Sequence, residues 1–152
     1  MKHLFLLFFT VISAAAIAQS GSAKQVTWTS TAKKLSEGVY EVKLTADIKG
    51  DYHMYAQAAG IEGPVPTAFK FTANPLVTLN GKVKEVGKMV KKYESAWEGN
   101  VNYYEKKVEF VQQVKLKGKV KTNLAGKVEF MVCNDSQCLP PSEVDFKVAV
   151  GG

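Results

Sequence analysis

The chain has 152 residues, 46% of them hydrophobic, and a formal net charge of +6. Its 20 basic residues are all lysine, spread along the chain. Arginine forks onto phosphates and base edges, so its absence argues against specific nucleic-acid recognition and leaves a solvated basic surface.

The chain opens MKHLFLLFFTVISAAAIAQS. Lys2 gives a positive start, Leu4 to Ala18 carries no charge, and Ala16-Ile17-Ala18 is a small-x-small site. This pattern predicts a secretory signal peptide over residues 1–18, cleaved after Ala18. The apolar run is short for a membrane span. No cysteine follows the cleavage site as a lipid handle, and no later stretch can cross a bilayer, so no membrane insertion is expected after cleavage. Removing the leader leaves 19 lysines against 14 acids, a charge of +5. Residues 19–152 make about one domain. A chain of that size buries roughly two thirds of its unfolded surface, so it does not need a disulfide merely to fold.

Strands are predicted in order. Gln25 to Thr29 is the first. In "GVYEVKLTADIK", Tyr40, Val42, Leu44, Ala46 and Ile48 face one way and Glu41, Lys43, Thr45 and Asp47 the other. That is a half-buried strand. Tyr52 to Ala56, Ala68 to Thr72 and Leu76 to Leu79 are shorter candidates. Val108, Phe110, Val114 and Leu116 share a face in "KKVEFVQQVKLKG"; Val128, Phe130 and Val132 do in "GKVEFMV"; Val144, Phe146, Val148 and Val150 do in "EVDFKVAV". Turns are predicted at Gly50-Asp51, Asn74-Pro75, Asn80-Gly81 and Asn123 to Gly126. No long segment has helical periodicity. The pattern predicts an all-β, immunoglobulin-like antiparallel β-sandwich. The inter-sheet bridge of immunoglobulins is absent, because Cys133 and Cys138 are only five positions apart.

These cysteines sit in "FMVCNDSQCLPPSEVDF". As a structural staple, a bridge across so short a loop contributes about 2 kcal/mol. A metal site needs three or four ligands, and beside the two thiols the mature chain offers one remote histidine, His53. His53 reads as an ordinary strand-end residue, and no metal or cofactor is expected. As a working pair, the cysteines flank a hairpin-like connection, between a strand ending at Val132 and one beginning at Glu143. Such a loop brings two Cα atoms within the roughly 7 Å a bridge requires. Pro140 and Pro141 lack an N–H, and Leu139 is held extended before them. The sulfur of Cys138 is then approachable, as exchange with a partner requires. No Lys, Arg or His in the loop stabilises a thiolate, and Asp135 disfavours one. A thiol with a pKa near 8.5 is only a few per cent ionised at pH 7, so this pair awaits an activated partner.

The run "GKVEFMVCNDSQCLPPSEVDFKV" resembles the end of the N-terminal periplasmic domain of DsbD, the thiol:disulfide interchange protein. "YESAWEGNVNYYEKKVEF" resembles that family's cap-loop segment, and "DYHMYAQ" is similar to its tyrosine-rich strand. The resemblance covers most of the mature chain. It implies an immunoglobulin-like sandwich in the periplasm, part of a protein-disulfide reductase system. Electrons would come from a membrane electron-transfer protein through a thioredoxin-like domain and pass to periplasmic disulfide proteins. Cys133 and Cys138 are then the catalytic redox pair. Cys138 matches the cysteine that forms mixed disulfides and Cys133 the one that resolves them. Trp97 matches the cap aromatic, here tryptophan rather than phenylalanine, and Tyr52, Tyr55 and Tyr104 match active-site aromatics. The inter-cysteine loop is one residue shorter than in the best-known members. No membrane module or thioredoxin domain follows before Gly152, so a stand-alone version is expected. The rival expectation is a secreted binding sandwich whose disulfide is purely structural.

Overall fold

The structure, a computed structural model, describes residues 21–152; the signal peptide predicted over residues 1–18 lies outside them. A 3-10 turn at Gly21–Gln25 precedes eleven strands among the described residues. In chain order they are β1 (Val26–Ser36), β2 (Val39–Ile48), β3 (His53–Tyr55), β4 (Ala68–Phe71), β5 (Val77–Val86), β6 (Met89–Glu94), β7 (Gly99–Glu105), β8 (Lys107–Leu116), β9 (Thr122–Phe130), β10 (Val132–Cys133) and β11 (Ser142–Val150). All pair antiparallel, in three sheets ordered β1-β2-β8-β5, β10-β3-β7-β6 and β11-β9-β4.

Alternation decides the inner faces. Tyr40, Val42, Leu44, Ala46 and Ile48 of β2 are all buried, as are Val108, Phe110, Val114 and Leu116 of β8. They pack across the sandwich on the other two sheets. Trp28 lies 5.8 Å from the Phe110 ring and 5.4 Å from that of Phe130, and Phe69 lies 5.0 Å from Phe110.

The predicted turns need two corrections. Asn80-Gly81 lies inside β5, where pairing to β8 skips from Asn80↔Gln113 to Lys84↔Val111. The buried amide of Gln112 donates to the carbonyls of Asn80 and Gly81 and so stabilises a bulge in place of a reversal. Asn123 to Gly126 lies inside β9, and the chain turns earlier, near Gly118, whose φ is +85°. Gly126 serves packing instead: a Cβ there would strike the backbone of β4. β1 also runs on to Ser36, because its outer half is an exposed edge that needs no apolar alternation.

In sheet β10-β3-β7-β6, the short strands β10 and β3 are buried on both faces, whereas β6 is an exposed edge. Met54, Tyr104 and Val132 join the main core. The opposite face, set by the period of two, carries Tyr55, Tyr103 and Cys133. With Val101, Ala59 and Met131 they form a second, smaller cluster, covered by Ile61, Val65, Val90 and Trp97. The chain leaves β9 at Phe130, crosses at Met131 to pair β10 with β3, and returns to pair Ser142 with Phe130. The cysteine loop is that excursion from one sheet to another.

Candidate functional site

Cys133 and Cys138 are disulfide-bonded, with Cα atoms 4.0 Å apart, and pair as an antiparallel bridge. The Leu139 N–H donates to the Val132 carbonyl at 3.0 Å and the Asn134 N–H to that of Gln137 at 2.9 Å. Asn134 Oδ1 accepts the N–H groups of Ser136 and Gln137, closing the turn as asparagine side chains do. Outside the loop, Gln137 Nε2 donates to the Tyr52 hydroxyl at 2.9 Å and Asn134 Nδ2 to Asp51 at 3.2 Å. The two sulfur-bearing residues differ sharply: Cys133 is 1% exposed, whereas Cys138 is open to solvent.

A third support comes from the far end of the chain. The fully buried Ser22 hydroxyl accepts the Val132 N–H at 3.0 Å and donates to the Pro140 carbonyl at 2.9 Å. The Ser22 N–H donates to the same carbonyl at 3.0 Å, and the Ala23 N–H to Ser142 Oγ at 3.0 Å. One hydroxyl thus joins the arm before Cys133 to the arm after Cys138. Gly21 is needed beside it, with φ +65° and no room for a Cβ against the Pro140 carbonyl.

A polar network fills the space next to the bridge. The Tyr55 hydroxyl donates to Glu94 Oε2 at 2.7 Å and accepts the Trp97 indole N–H at 2.8 Å. His53 Nε2 lies 2.9 Å from Glu94 Oε1, and the ring stacks on Tyr103 with centroids 4.2 Å apart. Burial lowers the His53 pKa from 6.5, outweighing the pull of Glu94, Glu105 and Asp135. Burial and the bond to Glu94 push the Tyr55 hydroxyl well above its usual range. A cavity of about 260 Å³ is bordered by both cysteines, His53, Glu94 and the turn residues Ser95 and Ala96.

The expected site residues are distributed unevenly. Tyr52 touches the cysteine loop and Tyr55 anchors the network. Trp97 packs in the cluster that holds Cys133, its indole resting on Gly63. Tyr104 points into the main core and bonds Glu85 at 3.2 Å; its neighbour Tyr103 is the one in the small cluster that holds Cys133. Ser22, Glu94 and Tyr103 carry no sequence signal of their own, and His53, expected as an ordinary strand-end residue, lies within the network. Its one available signal is a histidine between apolar and aromatic residues in "DYHMYAQ". Among the described residues, no three His, Cys, Asp or Glu side chains are grouped to hold a metal, and no helix is long and apolar enough to cross a membrane.

The family described as "Thiol:disulfide interchange protein DsbD, N-terminal" matches residues 18–149. The chain belongs to the DsbD N-terminal domain family. The N-terminal domain of Neisseria meningitidis DsbD, crystallised in the reduced form, is similar in fold, with a TM-score of 0.55 and 18% identity over 85% of this chain and 88% of that one. The N-terminal periplasmic domain of ScsB from Proteus mirabilis has the same TM-score and identity. That match covers 80% of this chain and 44% of that chain, so this chain spans less than half of the ScsB domain's length. No curated protein sequence matches. The immunoglobulin-like sandwich expected from the sequence is the fold of this family, and Cys133 and Cys138 are disulfide-bonded in it.

Proposed function

We propose that this chain is a periplasmic thiol–disulfide exchange carrier. It takes electrons from a thioredoxin-like partner supplied by a membrane electron-transfer protein and passes them to periplasmic disulfide proteins. The observation that carries this reading is the asymmetry of the bridge, one sulfur-bearing residue buried and one exposed. A partner thiolate reaches Cys138 Sγ, the S–S bond breaks, and Cys133 leaves into the protein interior. The half-buried Trp97 and the turn before it cap the pair against small thiols, with Tyr52 and Tyr55 holding the loop and the cap in place and Tyr104 backing the sheet from the core side.

The test is capture and potential together. The Cys133→Ala chain should accumulate mixed disulfides through Cys138, and Cys138→Ala should not. The wild-type potential, from equilibrium with glutathione, should lie above about −300 mV, where exchanging bridges sit. Equal capture by both variants, or a potential below that value, would favour a secreted module with a structural bridge.

A further inference from the structure

His53, the only histidine among the described residues, is 7% exposed, and its Cα is the ladder partner of Cys133. Residues directly opposite in an antiparallel pair present their side chains on one face, with Cβ atoms about 4.5–5.5 Å apart. The imidazole and both cysteines border one cavity. The ring is fixed from its other side. Nε2 lies 2.9 Å from Glu94 Oε1, while the Tyr55 hydroxyl proton is committed to Glu94 Oε2. A carboxylate only accepts, so Nε2 is the protonated nitrogen and Nδ1 carries the lone pair. A histidine oriented by a carboxylate on one nitrogen, with the other nitrogen bonded to no group among the described residues, is the arrangement of a general base.

We propose that His53 is the general base that takes the Cys133 proton when this buried thiol closes the disulfide, and returns it when the disulfide is opened. The proposal rests on the reading that the pair exchanges with partners. In the reduced protein, Cys138 first attacks a partner disulfide and is left bonded to one partner sulfur. Cys133 Sγ–H then gives its proton to His53 Nδ1. The thiolate attacks Cys138 Sγ, the Cys133–Cys138 bond forms and the Cys138–partner bond breaks. The partner departs as a thiolate, reduced by the two electrons the cysteine pair has lost. Glu94 stabilises the imidazolium until the proton passes to solvent. The ring also faces Lys92 of β6, Tyr103 and Glu105 of β7, Tyr55 of β3 and Asp135 of the cysteine hairpin. Burial keeps it neutral at pH 7, the form that can accept a proton.

The test follows thionitrobenzoate release when the reduced full chain is mixed with dithiobis(nitrobenzoate) in stopped flow. The first equivalent reports attack by Cys138 and the second reports closure by Cys133. His53→Gln should leave the first phase unchanged and slow the second by about tenfold or more at pH 7. The wild-type second phase should level off once His53 is neutral, whereas that of His53→Gln should keep rising toward the pKa of the thiol. Glu94→Gln, which keeps the ring and removes its carboxylate, should slow the second phase less. A second phase in His53→Gln with the wild-type rate and pH profile overturns the proposal. If that variant does not fold, an unchanged second phase in Glu94→Gln overturns it. A wild-type protein with no second phase would instead remove the exchange reading itself.

Discussion

Tyr103 and Tyr104 are neighbours in β7 and serve two different regions. Tyr104 enters the main core beside Met54 and Val132, and its hydroxyl, bonded to Glu85, is pushed up to about 12 by burial and that carboxylate. Tyr103 enters the small cluster that also holds Cys133, and stacks on His53. The main core is held by apolar area and ring contacts. The small cluster, which holds Cys133 and Tyr103, adjoins a hydrogen-bonded set of His53, Glu94, Tyr55 and Trp97, with Tyr103 stacked on the histidine. The first is suited to stability. The second has polar groups whose protonation and contacts can change, which is what a site that reacts requires.

This contrast is most easily broken from the core side. Phe110 is 1% exposed between Trp28 and Phe69, and Phe110→Ala should cost about 3–5 kcal/mol in urea unfolding. The reduction potential should not move, because the oxidised and reduced forms lose the same packing. A shifted potential would mean that the two regions are coupled.

Removing the bridge should cost less. Cys133→Ala combined with Cys138→Ala should fold and lose about 2 kcal/mol, since the closed loop is short. All exchange should vanish. A double variant unfolded at room temperature would make the small cluster a structural region after all.

Ser22→Ala sharpens the comparison further. The Val132 N–H loses its acceptor, at about 1–2 kcal/mol. Because the hydroxyl ties both arms of the cysteine loop, the reduction potential in glutathione buffers should shift as well, unlike that of Phe110→Ala. An unmoved potential would assign Ser22 to stability alone.

Acidification should touch only the small cluster in the window where His53 titrates. Burial lowers His53 below its ordinary 6.5, so between its folded and unfolded values the unfolded chain binds more protons. Stability contributed by the neutral ring is present above 6.5 and is lost as the pH falls toward the folded value. Wild-type protein should therefore be less stable to urea at pH 5.5 than at pH 7.5, and His53→Gln should lose less across the same interval.

The same division decides what was legible in the sequence. β2, β8 and β11 were readable because each buries one face, and alternation reports that. β6 and β7 were missed as strands. β6 is an exposed, lysine-bearing edge, and β7 alternates only from Gly99 to Tyr103 before Tyr104 is buried on the other face, so neither gives a long apolar stripe. The cysteine loop was readable because its turn residues and prolines are local. The placement of Ser22 under that loop spans 110 positions, and the pairing of His53 with Cys133 joins strands far apart in the chain. Sheet register fixes both contacts, and nothing in the neighbouring residues announces them.

The smallest effect is expected at Trp97, where Gly99 and Asn100 close behind it in a polar stretch suggest a loosely held loop. Gly99 instead begins β7, buried under Ile61, and Asn100 is paired with Tyr93. Any opening therefore falls on the turn Ser95 to Glu98, where Glu98 has a left-handed φ of 51°. The turn's own bonds are long, 3.2 Å from the Trp97 N–H to the Glu94 carbonyl and 3.3 Å from the Glu98 N–H to that of Ser95. The indole itself is held by its N–H to Tyr55 and by contact with Gly63. An aromatic ring near a sulfur contributes about 0.3–1.5 kcal/mol, small enough for a docking partner to displace. Trp97→Ala should therefore raise the rate of reduction by glutathione several-fold, with little loss of stability. Trp97→Phe keeps a ring and drops the N–H, and should stay close to the wild-type rate. An unchanged rate in Trp97→Ala would remove the cap while leaving the redox pair intact. A Trp97→Phe rate equal to that of Trp97→Ala would move the shielding from the bulk of the ring to its bond with Tyr55.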